Sequence, residues 1–309
     1  MLKCQEELER NPRFAAWFKS RGRQAQEADA RPLDGMEIAL TINRMVRDKI
    51  DPDTDEDDLC YTENTLENFN KLIDALKQNE MPPTVDFMVG YAVDPSIQEA
   101  WLQNGNLLGN MTYSREKPKK VSAEEFIESV KRTDQELAPL WMKFPPNKKY
   151  FRFPGLALDK DQHKLEQIRG YLKQNGYVEV PATIDAWDDL ISQDYCGALA
   201  RGDHACAAFI KAAFKSLLLG RAVKAREAAR NLAGRDIKHI FTIKSNQLTC
   251  DLLGEMLGSF KALGARFVSL DEALSDPFYK AQDVTGSGKR IIEETESSLS
   301  SSANSNGNH

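Results

Sequence analysis

Residues 235–274 read RDIKHIFTIKSNQLTCDLLGEMLGSFKALGARFVSLDEAL, and this stretch decides the fold class. The apolar run from Ile237 to Ile243 predicts a buried strand, and residues 248–263 have the length and period of a helix that Gly264 ends. The short run 266–268 predicts a further strand. Strand, helix and strand in succession form the unit from which parallel sheets are built.

The same alternation continues toward the N-terminus. Apolar runs at 38–42, 85–89, 150–153 and 177–184 predict strands, and residues 64–79, 122–137, 165–172 and 204–232 predict helices. So many strand–helix units predict an α/β fold, a distorted (β/α) barrel. In such barrels the chemistry lies where strands end and loops begin, so we expect functional residues just after Ile42, Val89, Phe153, Ile184 and Ile243.

Composition excludes several classes of protein. The chain has 309 residues, 41 basic and 47 acidic, with a net charge of −6 and 41% hydrophobic residues. No stretch approaches the about 18 consecutive apolar residues of a membrane helix. The acidic balance argues against nucleic acid as a partner, and the composition does not indicate an oligomeric state. No apolar signal region follows Met1, so we expect the chain in the cytoplasm unless an export signal has been removed.

The segments outside the barrel differ in character. Residues 1–30 are predicted to form an N-terminal helical extension, and residues 31–283 the barrel. Residues 284–309 are rich in serine and asparagine and low in apolar side chains, which predicts a disordered tail. An expression linker is the alternative interpretation of the tail.

Motifs at the strand ends resemble the polysaccharide deacetylase family (NodB-homology domain, carbohydrate esterase family 4). The segment LGNMTYSR at 108–115 is similar to the family's Gly-Asn-His-Thr-x-x-His motif, and FRFP at 151–154 to its Arg-x-Pro motif. TID at 183–185 and the FVSLDEAL ending at 267–274 match two further family motifs. The resemblance extends over about residues 35–280 and implies a distorted barrel of the polysaccharide deacetylase type.

The resemblance also implies a chemistry whose working residues this chain replaces. The family holds a divalent metal, usually zinc, with one Asp and two His, and uses an Asp as general base and a His as general acid. The base position here is Asn43, the metal-ligand positions are Arg44, Met111 and Arg115, and the acid position is Lys244. We therefore expect no catalytic residue and no metal cofactor, in a vestigial site formed by Arg44, Met111, Arg115, Arg152, Asp185 and Asp188.

Other candidate metal or redox sites are weaker. The histidines (His163, His204, His239 and His309) show no paired spacing that could rebuild a zinc site. The acidic run at 51–58 lacks the glycine and glutamate of a calcium loop, which favours a solvated loop. The five cysteines are scattered without a CxxC pair, which favours reduced structural thiols.

The predicted function is that of a polysaccharide deacetylase-like protein without hydrolytic activity, with a polysaccharide or oligosaccharide as partner. Tyr113, Phe153 and Trp187 are the candidate aromatic residues of the substrate groove, because sugar faces stack on aromatic rings. Two alternatives stay open: an active metal-dependent hydrolase that removes acetyl groups through unrecognised ligands, and a scaffold that binds partners through the helix at 204–232.

Overall fold

The computed structural model of the chain describes residues 4, 5, 8, 9, 15, 31–44, 65–280 and 283–304. Within these residues, eight strands form one sheet in which every pair is parallel. The strands are β1 (Glu37–Asn43), β2 (Val85–Met88), β3 (Leu107–Asn110), β4 (Lys149–Phe151), β5 (Tyr177–Glu179), β6 (Ile184–Asp185), β7 (His239–Lys244) and β8 (Arg266–Phe267). Their order is β5-β4-β3-β2-β1-β7-β6, and β8 pairs with β1.

The sheet curls because its two outermost strands are neighbours in sequence. Only residues 180–183 separate β5 from β6, yet β5 pairs with β4 and β6 pairs with β7. The backbone N–H of Val180 donates to Phe151 at 2.8 Å, and that of Thr183 donates to Ile240 at 2.9 Å. The predicted distorted barrel is confirmed. The single strand predicted at 177–184 is wrong, because Pro181 has no N–H for a ladder and the chain crosses there from one edge to the other.

Helices surround the sheet. They are α1 (Thr65–Gln78), α2 (Pro95–Gln103), α3 (Ala123–Lys143), α4 (Gln162–Gln174), α5 (Asp189–Ala200), α6 (His204–Ala233), α7 (Gln247–Ala262), α8 (Leu270–Leu274) and α9 (Val284–Asn304), with 3-10 turns at Gly90–Ala92, Pro118–Lys120, Pro154–Leu156 and Pro277–Lys280. Ser122 and Glu125 form the predicted capping box at the start of α3, and Gly234 ends α6 in a left-handed conformation. None of the helices in the described ranges is long and apolar enough to cross a membrane.

The largest part of the core lies between the sheet and the helices α1, α6 and α7. Trp101, Phe241 and Phe260 are fully buried there, and the rings of Phe241 and Phe260 stack with centroids 5.8 Å apart. Helix α6 packs against α5, α7 and α9. Much of the surface that the scaffold alternative assigned to this helix is therefore covered by neighbouring helices.

The C-terminal segment corrects the prediction of a disordered tail. Residues 284–304 form α9, in which Ile291 is 0% exposed and Leu299 is 4% exposed. Ile291, the buried Thr295 and Leu299 recur every four residues, so they lie on one face of the helix, and α9 packs against α6. The segment has few apolar residues, but their helical spacing lets a single stripe bury them.

The cysteines also differ from the expectation of reduced thiols. Cys4 forms a disulfide with Cys206 at the start of α6, 202 residues away in sequence, and Cys196 is also disulfide-bonded. Cys250 is free and buried. Spacing in the sequence does not reveal these pairs because the fold, not proximity along the chain, brings the thiols together.

Two predicted segments fall largely outside the described residues. Most of the predicted helical extension at 1–30 does so, although Cys4 and Leu8 are described and are buried in the main core. The acidic run at 51–58 lies outside the described residues altogether.

Candidate functional site

A cavity of about 110 Å³ lies at the carboxyl-terminal ends of the barrel strands. Asn43 ends β1 and is paired in register with Lys244, which ends β7. The cavity brings together the predicted base and acid positions, Asn43 and Lys244, and all six residues of the predicted vestigial site: Arg44, Met111, Arg115, Arg152, Asp185 and Asp188. Gly155, Leu156, Thr242 and Ile243 also line it and were not predicted. Their position directly beside the quoted motifs is the signal that could have identified them.

Arg152 crosses the interior of the barrel and links its strands. The side chain is 1% exposed, and its guanidinium donates to Thr41, Asn43 and Thr242 at 2.9–3.0 Å. It also donates to the backbone carbonyls of 180 and 181 at 3.3 and 3.1 Å. Burial lowers the pKa of Arg152 to about 9, while Asp185 and Asp86 act in the opposite direction. Arg152 therefore stays charged at neutral pH and holds β1, β7 and residues 180–183, which we call the crossing segment, in place.

Among the described residues that line the cavity, cationic side chains outnumber acidic ones. Arg44, Arg115, Arg152 and Lys244 face two carboxylates, those of Asp185 and Asp188. Burial lowers the pKa of Lys244, which the two carboxylates raise and the Arg44 and Arg115 charges lower further. The cationic groups are therefore close enough to repel one another.

Asp188 is held as a structural acceptor. Its Oδ2 accepts hydrogen bonds from the backbone N–H of Lys244 at 2.5 Å and from the Thr249 hydroxyl at 3.1 Å. Burial raises the pKa of Asp188, against the lowering effect of Lys244. This carboxylate thus fixes the end of β7 relative to α5 and α7.

The loops around the cavity adopt conformations that side chains rarely occupy. Arg44, Arg115 and Leu156 line the cavity with φ values of 59°, 64° and 52°, and Thr112 and Trp187 in the same loops have φ values of 65° and 57°. Each such residue costs on the order of 1–3 kcal/mol relative to an ordinary conformation. Among described non-glycine residues, Glu80 is the one positive-φ position away from these strand-end loops. Strain is therefore concentrated at this end of the barrel.

The three aromatic residues predicted for a groove lie elsewhere than in the cavity wall. Phe153 is 0% exposed and stacks on Phe126 with centroids 5.7 Å apart, so its assignment to a groove is wrong. It follows β4 with its side chain directed into the core, since side chains alternate in direction along an extended chain. The Tyr113 ring lies under the Arg132 guanidinium at 3.7 Å. The Trp187 ring packs under Arg221 at 3.5 Å, and its indole N–H donates to Glu296 of α9 at 3.0 Å.

The residues at the family's metal-ligand positions do not fit a divalent cation. A guanidinium has five N–H donors and no lone pair to offer a metal, and a thioether is a soft ligand. Over the described part of the chain, no group of three or more His, Cys, Asp or Glu side chains is arranged to hold a metal. His239 is buried at the start of β7 beside the Thr183 hydroxyl, 3.1 Å away, and His163 and His204 are exposed on helices.

Comparisons with known proteins agree with the family named from the motifs. The polysaccharide deacetylase family model matches residues 55–178. No curated protein matches the sequence. Similar solved structures include a mutant of a CE4 family pseudoenzyme from Bacillus anthracis with restored enzymatic activity, at 14% identity, 79% coverage of this chain, 68% of that chain and a TM-score of 0.49.

Two further structures are a peptidoglycan N-acetylglucosamine deacetylase and a family 4 carbohydrate esterase from Streptomyces lividans. The first has 21% identity, covering 77% of this chain and 87% of that chain, with a TM-score of 0.47. The second has 15% identity, covering 75% and 91%, with a TM-score of 0.47. Residues 55–178 are thus similar to the polysaccharide deacetylase family, the same family that the strand-end motifs resemble.

Proposed function

We propose that this chain is a polysaccharide deacetylase-like protein that does not hydrolyse acetyl groups and binds carbohydrate in the strand-end cavity. One observation carries the proposal. Arg44, Met111 and Arg115 line the cavity together with Lys244, and the family resemblance assigns these four positions to the metal ligands and the general acid.

The physical argument against hydrolysis concerns charge and protonation. Two unit charges about 4 Å apart interact by roughly 4 kcal/mol at an effective dielectric constant of 20. A divalent cation beside Arg44 and Arg115 would be repelled by both guanidinium groups, and neither group has a lone pair with which to bind it. Asn43, at the base position, is an amide whose Oδ1 already accepts a hydrogen bond from Arg152 at 2.9 Å. It has no titratable group with which to take a proton from water.

Carbohydrate binding is supported by what the site retains. Arg152 and Asp185 stand in the cavity as the family motifs have them, and polar groups from the ends of β1, β6 and β7 converge there. Pockets with a few convergent polar groups are the usual binding sites for small ligands. The strained loops around the cavity are also more readily explained by a retained binding site than by selection for stability alone.

Metal stoichiometry tests the inactive part of the proposal. The protein is incubated with excess zinc, desalted and weighed by native mass spectrometry, and we expect no retained zinc. One tightly held zinc per chain, with activity that a chelator abolishes, would instead establish the hydrolase alternative.

A restored variant provides the positive control. It combines Asn43→Asp, Arg44→Asp, Met111→His, Arg115→His and Lys244→His, and we expect it to retain one zinc per chain. A folded variant that binds no zinc would show that the site is misplaced. For the binding part, a glycan array probed with the natural chain is expected to give hits, and an array without hits at millimolar sugar would contradict it.

The Cys4–Cys206 disulfide supports an oxidising compartment as the place where this function operates. Disulfides persist in such compartments and are rare where the thiol pool is reducing. Peptide mapping of the chain from its natural source under non-reducing conditions should find the Cys4–Cys206 cross-link. Five free thiols would favour the cytoplasm.

A further inference from the structure

We infer that Trp187 is a positioning residue through which the C-terminal helix α9 sets the geometry of the strand-end cavity. The inference rests on the proposed ligand site, because Asp185, which Trp187 holds, lines that cavity. Docking of α9 is then a condition for ligand binding, and a change that loosens this helix also loosens the site.

Trp187 controls the turn that carries Asp185. The backbone N–H of Trp187 donates to Oδ1 of Asp185 at 3.2 Å, and the backbone N–H of Ala186 donates to the Thr242 carbonyl oxygen of β7 at 3.1 Å. An aspartate that accepts a hydrogen bond from the backbone two residues later forms an Asx turn. The direction of the Asp185 carboxylate therefore depends on the backbone conformation at Trp187.

The backbone at Trp187 is strained and needs support from other parts of the chain. Its φ of 57° lies in the left-handed region, which bulky side chains rarely adopt. Such a conformation persists only where the surrounding structure holds it in place. Contacts of the Trp187 side chain with other elements therefore decide whether the turn keeps its shape.

Two helices supply that support. The guanidinium of Arg221 in α6 lies 3.5 Å from the centroid of the Trp187 ring, and its Nε donates to the Asp185 carbonyl oxygen at 2.6 Å. The indole N–H of Trp187 donates to Oε1 of Glu296 in α9 at 3.0 Å. Arg221 is 1% exposed, whereas Glu296 is half-buried near the end of the chain. The contact with α9 is therefore the more easily released of the two.

A second contact between α9 and the cavity leads to the same conclusion. Ile292 lies four residues before Glu296, on the same face of α9, and packs in a cluster with Leu156, which also lines the cavity. One face of α9 thus contacts the loops after β4 and β6. Displacement of this helix releases both loops together.

Amide hydrogen exchange read by mass spectrometry tests the inference on the full chain without any ligand. Glu296→Ala removes the acceptor of the indole N–H, and Trp187→Phe removes the donor but keeps an aromatic ring beside Arg221. Each variant should accelerate exchange at residues 184–188 by about tenfold or more, because the lost contact limits local opening of the turn. Exchange in β1 should keep the rate of the natural chain.

Two further variants identify the cause. Glu296→Gln retains an oxygen acceptor and should keep the slow exchange of the natural chain at residues 184–188. Glu294→Ala is the matched control, because Glu294 joins the same two helices by accepting a hydrogen bond from Asn231 at 2.8 Å. This variant should leave exchange at residues 184–188 unchanged.

The outcomes separate a positioning role from a general loss of stability. Unchanged exchange at residues 184–188 in either Glu296→Ala or Trp187→Phe would overturn the inference. Equal acceleration in Glu294→Ala, acceleration that includes β1, or fast exchange in Glu296→Gln would overturn it as well. Because no ligand takes part, a glycan array without hits would contradict the proposed carbohydrate binding and leave the exchange result unaffected.

Discussion

The strand-end cavity and the side of the barrel are built from opposite kinds of residue. The cavity gathers mutually repelling cations on strained loops. On one side of the barrel, residues 177–185 pack against α9, and we call these two segments the seam. Ala182 and Ile292 of the seam form a small apolar cluster with Leu156, which follows β4. The seam stabilises the fold by close packing, whereas the cavity contains features that work against stability. Such features are typical of a region retained for binding.

The seam also shows how the two regions depend on each other. Gly288 of α9 lies so close to the crossing segment that a Cβ there would come within 2.5 Å of the Ala182 carbonyl oxygen. Leu156 belongs both to the seam cluster and to the cavity wall. Packing of Ile292 in α9 against Leu156 therefore helps to position a residue that lines the cavity.

The largest expected effect is at Arg152, which connects the two regions. Arg152→Met leaves the buried hydroxyls of Thr41 and Thr242 and the amide oxygen of Asn43 without the donor that they share. We expect the free energy of unfolding to fall by about 3–5 kcal/mol in urea denaturation. The exposed control Arg266→Met should change it by about 0.5 kcal/mol or less. A stable Arg152→Met protein would mean that this side chain serves ligand binding alone.

The next effect tests the seam directly. Ile291→Ala removes a fully buried side chain from α9 and should cost about 2–5 kcal/mol of stability by the same measurement. Glu293→Ala, on the exposed face of the same helix, is the control and should have little effect. Identical stabilities of the two variants would restore the interpretation of this segment as a disordered tail.

A pair of glycine substitutions sharpens the comparison at smaller magnitude. Gly288→Ala places a Cβ against the crossing backbone and should destabilise by about 1–3 kcal/mol. Gly170→Ala in α4 meets no atom within 4 Å and should stabilise by up to about 1 kcal/mol, because alanine favours the helix. Opposite shifts in melting temperature are expected, and shifts of the same sign would show that α9 does not press against residues 181 and 182.

The last prediction concerns pH and the end of the barrel opposite the cavity, where the effect within any one pH unit is small. Burial lowers the pKa of His239 from 6.5 to about 3, so between these values the unfolded chain binds more protons than the folded one. Stability should therefore fall as the pH decreases through this range, by at most about 1.4 kcal/mol per pH unit from this group. His239→Gln should flatten the dependence of the unfolding free energy on pH, and the exposed His163→Gln should not. If the unfolding free energy of the two variants depends equally on pH, the His239 side chain is in contact with water and the prediction is wrong.

Much of the cavity could be predicted from sequence because its residues are local to strand ends. Asn43 and Arg44 follow the apolar run of β1, Lys244 ends that of β7, and parallel strands bring their carboxyl ends to the same side. Phe153 shows the limit of this reasoning. It occupies a strand end like the others, but the direction of its side chain depends on the packing of Phe126 behind it.

The sequence by itself determined the parallel barrel, the family resemblance and eight of the residues that line the cavity, because apolar periodicity and strand-end motifs are local properties. Tertiary structure alone decided three other features. It paired Cys4 with Cys206, split residues 177–184 between two edges of the sheet, and folded residues 284–304 onto α6. Each depends on contacts between segments far apart in the chain. A few apolar residues form a stable helix only when another surface is present to bury them.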